Sequence, residues 1–126
     1  MKTAAFFRPG DPTISYRAGD TIFSEGDIGS EMFGVLEGDV ELRRGDQVVQ
    51  RLGPTGVFGE MALIDNSARN LTAVAASDCQ LATIDRKLFL FLVHETPTFA
   101  LDVMSSLAER LRALNHPERG SADQTL

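Results

Sequence analysis

Val57-Phe58-Gly59-Glu60-Met61-Ala62-Leu63-Ile64 leads through the polar turn Asp65-Asn66-Ser67 to Arg69-Asn70-Leu71-Thr72-Ala73. The segment follows a loop, Gly53-Pro54-Thr55-Gly56. Gly59 has no Cβ, so the backbone there can approach a bound group closely. Glu60 to Ile64 is long enough for one or two turns of helix. The start of such a helix presents unpaired N–H groups and a positive dipole end, which suits an anion and most naturally a phosphate. Arg69 stands nine positions beyond Glu60, and a guanidinium takes two phosphate oxygens at once. Glu60 is a poor neighbour for phosphate but a good acceptor for a sugar hydroxyl. A phosphate and a neighbouring hydroxyl held together describe a nucleotide. Taken singly, Glu60 reads as a first-turn acid, Arg69 as a solvated strand-end charge and Gly59 as a turn glycine. Their spacing is what favours a site.

The bulk numbers set the frame. A chain of 126 residues, 43% hydrophobic and 24% charged, is one ordinary globular domain with a real core. A net charge of −6 disfavours nucleic acid and anionic membrane as partners. An anion must then be bound locally, through Arg69 and helix amides. The single cysteine, Cys79, allows no disulfide within the chain and reads as buried and inert. No apolar run approaches the length of a membrane span, and a cytoplasmic location is expected.

Upstream of the segment, residues 1–12 form a lead-in stopped by Pro9, Gly10 and Pro12. Short strand signals follow: Ile14-Ser15-Tyr16, Thr21-Ile22-Phe23, Met32 to Glu37, Val40 to Arg43 and Val48 to Leu52. Downstream come Asn70 to Ala75 and Cys79 to Ile84. Gly-Asp pairs punctuate them as turns and are not a repeat. Closely spaced short strands of this kind predict a mainly β fold, a jelly-roll barrel, with a pocket at its mouth.

At Asp85 the period becomes helical. Asp85 is an N-cap, and Ile84 with Phe89 has the spacing of a hydrophobic staple. One helix is predicted from Arg86 to about Glu95, with Leu88, Phe89, Leu92 and Val93 as its buried stripe. Thr96-Pro97 restarts a second helix that runs to about Asn115. Its stripe is Leu101, Met104, Ala108 and Leu111, widened by Val103, Leu107 and Leu114. Half or more of it is expected to be intramolecular core, the remainder facing a bound base or a second chain. The domain therefore spans residues 13–115, with strands in 13–85 and helices in 86–115. Residues 116–126 read as a disordered tail.

Phe58-Gly59-Glu60-Met61-Ala62-Leu63-Ile64 with Arg69 resembles the phosphate-binding cassette of cyclic nucleotide-binding domains. That family includes regulatory subunits of cAMP-dependent kinase, cyclic-nucleotide-gated channels and the bacterial catabolite activator protein. The resemblance covers roughly residues 14–115. It implies that Glu60 takes the ribose 2′-hydroxyl and that Arg69 takes the cyclic phosphate, with backbone amides near Gly59, Met61 and Ala62. It places Leu42 and Val49 beside the purine, and makes Leu107, Leu111 or Leu114 a lid. One departure stands out: the family usually follows the arginine with Ser, Thr or Ala and then Ala, whereas this chain has Asn70 and Leu71. Asn70 can still donate to phosphate or purine. Guanine preference in the family often goes with Thr or Ser at that position, so Asn70 favours cAMP over cGMP.

The expected function is thus a stand-alone cyclic nucleotide receiver in bacterial signalling. It needs no cofactor, and its ligand is cAMP, with cGMP as the second choice. It would signal through its last helix to an unidentified output protein or through a homodimer. The alternative is a scaffold that keeps the fold without a ligand, with Glu60 and Arg69 paired to each other. A metal enzyme on a related barrel is the weakest reading, since His94 and His116 both lie on the helical side and one cysteine cannot hold a cluster.

Overall fold

The computed structural model describes residues 10–115; the expectations for residues 1–9 and 116–126 lie outside them. The strands are β1 (Thr13–Tyr16), β2 (Thr21–Phe23), β3 (Met32–Glu37), β4 (Val40–Arg44), β5 (Gln47–Leu52), β6 (Val57–Phe58), β7 (Thr72–Ala75) and β8 (Cys79–Ile84). The helices are α1 (Met61–Ile64), α2 (Arg86–Glu95) and α3 (Thr98–Asn115). The strands form two four-stranded sheets, ordered β1-β8-β3-β6 and β2-β7-β4-β5, and every pairing is antiparallel. The jelly roll is thus two facing sheets rather than one closed barrel.

Turn chemistry sets the strand boundaries. β4 and β5 are joined by Gly45-Asp46, with Arg44 opposite Gln47 and Gly45 at φ +59°. A two-residue loop of this kind follows the right-handed twist of the strands only with a left-handed first residue. β6 was not legible as a strand: two residues are too few for a period-two signal. It exists because Phe58 and Val57 pair with Phe33 and Gly34 of β3. β7 begins at Thr72, two residues later than its sequence suggests, because Asn70 and Leu71 bend into the strand.

The core has two parts. Between the sheets lie Val35, Val40, Leu42, Phe58, Ala73 and Leu81 with their neighbours. Phe33 and Phe58 stack at 5.3 Å, and Phe23 tilts against both. The second part joins β3, β6 and β8 to the helices through Met32, Val57, Ile84, Leu92, Phe99 and Val103. Cys79 is a free, buried thiol in β8. Asp85 caps α2 as expected, its carboxylate accepting the Leu88 N–H at 2.8 Å.

α3 differs from its sequence reading. Its buried face carries Phe99, Val103 and Arg110, while Leu101, Met104 and Leu111 are about 60% exposed. The helix is rotated so that the most leucine-rich stripe faces outward. The inward face follows the spacing Phe99, Val103, Ser106, Arg110, with two polar residues in it. No single helix among the described residues is long and apolar enough to cross a membrane.

Candidate functional site

Where β6 ends, Gly59 turns the chain at φ +81° into the single turn of α1. Glu60 occupies its N-cap without a side-chain capping bond. The carboxylate is free to point elsewhere, and it points at α3. Arg110 donates from Nη1 to both Glu60 oxygens, at 2.6 and 2.8 Å. The same guanidinium donates from Nε to Gln50 Oε1 at 2.8 Å, and from Nη2 to Val57 O at 2.9 Å and Ser106 Oγ at 3.1 Å. Each of its three nitrogens therefore has an acceptor. Glu60 is 2% exposed and Arg110 6%. This buried ion pair fastens α3 to β5, β6 and α1.

Arg69 is also buried but is held differently. Its peptide group is laced to the loop before β3: Arg69 N–H donates to Asp27 O at 2.8 Å, and Gly26 N–H to Arg69 O at 2.7 Å. Its guanidinium donates from Nη1 to Gly59 O at 2.9 Å and from Nη2 to Glu31 O at 2.7 Å. Cζ lies 4.2 Å from the centroid of the Phe23 ring, a cation–π contact. Burial pushes its pKa down from the ordinary arginine value, opposed by the charges of Glu31, Asp27 and Glu60. It remains a cation, since no arginine in a protein gives up its proton.

Between these two arginines lies a cavity of about 180 Å³. Nine of the eleven residues picked out from the sequence line it: Leu42, Gly59, Glu60, Met61, Ala62, Arg69, Asn70, Leu71 and Leu111. The other two do not. Val49 and Phe58 pack in the core between the sheets, Phe58 because the Phe23 and Phe33 rings claim its side chain. Leu107 and Leu114 complete the α3 side of the cavity, and Phe23, Ser67 and Ala68 the rest.

Glu60 does not pair with Arg69, as the scaffold alternative expected, but with Arg110. Sequence reasoning missed Arg110 altogether. It missed Phe23 and Gly29 too: a Cβ placed on Gly29 would come 2.6 Å from Arg69 Cζ. The signal for Arg110 was present, a charged residue in register with Phe99 and Val103 on one helical face. Among the strands the cavity is walled by apolar side chains. Its charged lining comes from Glu60, Arg69 and Arg110. Such a site can hold an apolar ring and bind an anion beside a hydroxyl.

The family described as "Cyclic nucleotide-binding domain" matches residues 13–96. A cyclic AMP receptor protein of Thermus thermophilus is 36% identical over 102 residues, which are 77% of this chain and 47% of that protein. A cAMP-dependent protein kinase regulatory subunit of Eremothecium gossypii is 44% identical over 71 residues, 56% of this chain and 16% of that subunit. The chain thus spans less than half of either relative. Among solved structures, cAMP-bound PfPKA-R superposes with a TM-score of 0.73 at 27% identity, covering 85% of this chain and 37% of that one. The Thermus thermophilus catabolite activator protein gives 0.69 at 33% identity, covering 90% and 54%.

Proposed function

The chain belongs to the cyclic nucleotide-binding domain family, and on that premise we propose that it is a receiver for a cyclic nucleotide, cAMP in preference to cGMP, that reports occupancy through α3. The observation that carries this reading is Arg69. It is a buried cation whose hydrogen-bond acceptors are two neutral carbonyls, and it lines the cavity. A phosphate supplies the charge that carbonyls do not.

In this reading Arg69 and the peptide N–H groups that open α1 take the cyclic phosphate. Glu60 accepts the ribose 2′-hydroxyl with lone pairs that Arg110 leaves over, and Arg110 holds the carboxylate in place. The purine lies against Leu42, Leu71, Leu107, Leu111 and Leu114. An apolar wall favours adenine, since guanine would bury one more polar group without a partner. No bond is made or broken in the ligand; binding is the whole chemistry. α3 is the output element, because it contributes both Arg110 and the leucine wall, and a ligand that touches it can shift its equilibrium. Occupancy passes to a separate protein, or to a second copy through the outward-facing Leu101 and Met104. A net charge of −6 disfavours direct contact of this domain with nucleic acid or anionic membrane.

A second reading has one observation in its favour. Arg110 already satisfies Glu60 without a ligand, which suits a scaffold that keeps the fold and binds nothing. Thermal unfolding of protein stripped of nucleotide by refolding separates the two. At one hundred times its dissociation constant a ligand stabilises by about 2.7 kcal/mol, a shift of roughly 8–16 °C for a domain this size. A shift with cAMP, smaller with cGMP and absent with linear AMP, is expected. No shift with any of them at millimolar concentration selects the scaffold.

A further inference from the structure

We infer that Gly29 is a positioning residue for Arg69: its missing side chain is the slot in which the guanidinium lies. The inference rests on the cyclic nucleotide reading of the cavity. A methyl group at position 29 would stand 2.6 Å from Arg69 Cζ and 2.7 Å from Nε. Side chains do not approach each other that closely, so with a methyl at position 29 the guanidinium has to shift from its present place.

Conformation does not require glycine here. The glycines at positive φ are Gly10, Gly19, Gly26, Gly38, Gly45 and Gly59; Gly29 is not among them, and alanine fits its backbone. Gly59 is the contrast. A Cβ there would also crowd Arg69, at 2.9 Å from Nη1, but its φ of +81° forbids a side chain for a separate reason. Gly29 is therefore the position at which the slot can be filled without straining the turn.

The rest of the cradle shows what filling it would do. The guanidinium rests on the Phe23 ring at 4.2 Å, and the carbonyls of Gly59 and Glu31 fix its edge. It is the end of a flexible side chain, whereas the Arg69 peptide is tied to Gly26 and Asp27. A methyl at position 29 would displace the guanidinium and leave the backbone in place. The cation then loses the orientation in which it meets a phosphate, while the fold persists.

The test is a cycle of four proteins: wild type, Gly29→Ala, Arg69→Lys and the double variant. Each is titrated with cAMP by calorimetry, and each is melted without ligand. Lysine keeps the charge but carries no flat group to fill the slot. Gly29→Ala should weaken cAMP binding at least tenfold in the wild-type background and less than twofold in the Arg69→Lys background. Melting points should stay within a few degrees. The Arg69 Nε–H resonance of ligand-free Gly29→Ala should move, which reads the displacement without any nucleotide. An equal loss in both backgrounds, an unmoved resonance, or a melting point that falls and is not restored by Arg69→Lys overturns the inference. Wild-type protein that fails to bind cAMP at millimolar concentration sinks the functional reading instead, and the resonance still decides the role of Gly29.

Discussion

Arg110 and Arg69 line one cavity and are 6% and 9% exposed, yet they are held in opposite ways. Arg110 has a carboxylate, two oxygens of neutral side chains and a carbonyl. Its charge is matched, and each of its three nitrogens has an acceptor. Arg69 has two carbonyls and an aromatic face. Its charge is solvated by dipoles and, among the described residues, matched by no bonded carboxylate. A buried cation in the first condition is a fastener. In the second it suits a receptor for an anion, the role proposed for Arg69, because a charge-assisted bond to phosphate is stronger than one to a neutral acceptor. The difference separates the structural arginine from the proposed ligand arginine without reference to any relative.

The comparison breaks most sharply at Arg110. Arg110→Met leaves Glu60 buried and unpaired, and should cost about 3–5 kcal/mol, a fall in melting midpoint of roughly 9–30 °C. Removing both charges, Glu60→Leu with Arg110→Met, should recover most of that loss, as replacing a whole buried pair often does. A single variant as stable as wild type would show that Arg110 fastens nothing.

Phe23 sharpens the other side. Phe23→Leu removes the ring under the guanidinium and should weaken cAMP binding by about 1–2 kcal/mol through the lost cation–π contact. Calorimetry on Phe23→Leu and on Phe23→Leu with Arg69→Ala tests the route: the effect should vanish once the arginine is gone.

Glu41 in β4 is a matched charge outside the cavity lining, and titration reads it. It bonds to Arg43 and to Arg51, and the Arg43 hydrogen bond leads in pulling its carboxyl below the ordinary value of 4.5. A depressed folded pKa contributes stability that is full above the unfolded value and lost as pH falls through the folded one. Glu41→Gln should therefore cost about 1 kcal/mol at neutral pH, and the gap in melting temperature from wild type should close in acid. A gap that stays constant below pH 4 would contradict the pairing.

The smallest effect is expected on the outward stripe of α3. Leu101→Ser with Met104→Ser should change stability by no more than about 0.5 kcal/mol. Sedimentation of the same variant tests whether those residues join two copies: any self-association of the wild type should weaken.

The legible and the illegible parts of the chain differ for a physical reason. Strands and turns follow from local chemistry: Gly45-Asp46 closes a hairpin, and Asp85 caps a helix, within a few residues of sequence. Gly59, Glu60 and Arg69 were legible as a group because ten or so residues contain them. Arg110 acts on Glu60 across fifty positions of chain, and no local period carries that information. Its presence also disguised the buried face of α3. A core-facing stripe interrupted by Ser106 and Arg110 scores lower than Leu101, Met104, Ala108 and Leu111, so the more apolar side was taken as the inner one. Local rules fail here because the helix serves a site. Gly29 is silent in the sequence for a simpler reason: an empty slot is defined by what lies in it.

The claim that Arg69 is kept for an anion is met most directly by one binding measurement. The cAMP dissociation constant of Arg69→Ala is compared with that of wild type, both proteins first shown to unfold at similar temperatures. Loss of two charge-assisted bonds at about 1.5–3 kcal/mol each predicts an affinity at least about 100-fold weaker in a variant that still folds. Affinity within about threefold of wild type would contradict the account, since the cavity would then hold its ligand without the cation it is built around.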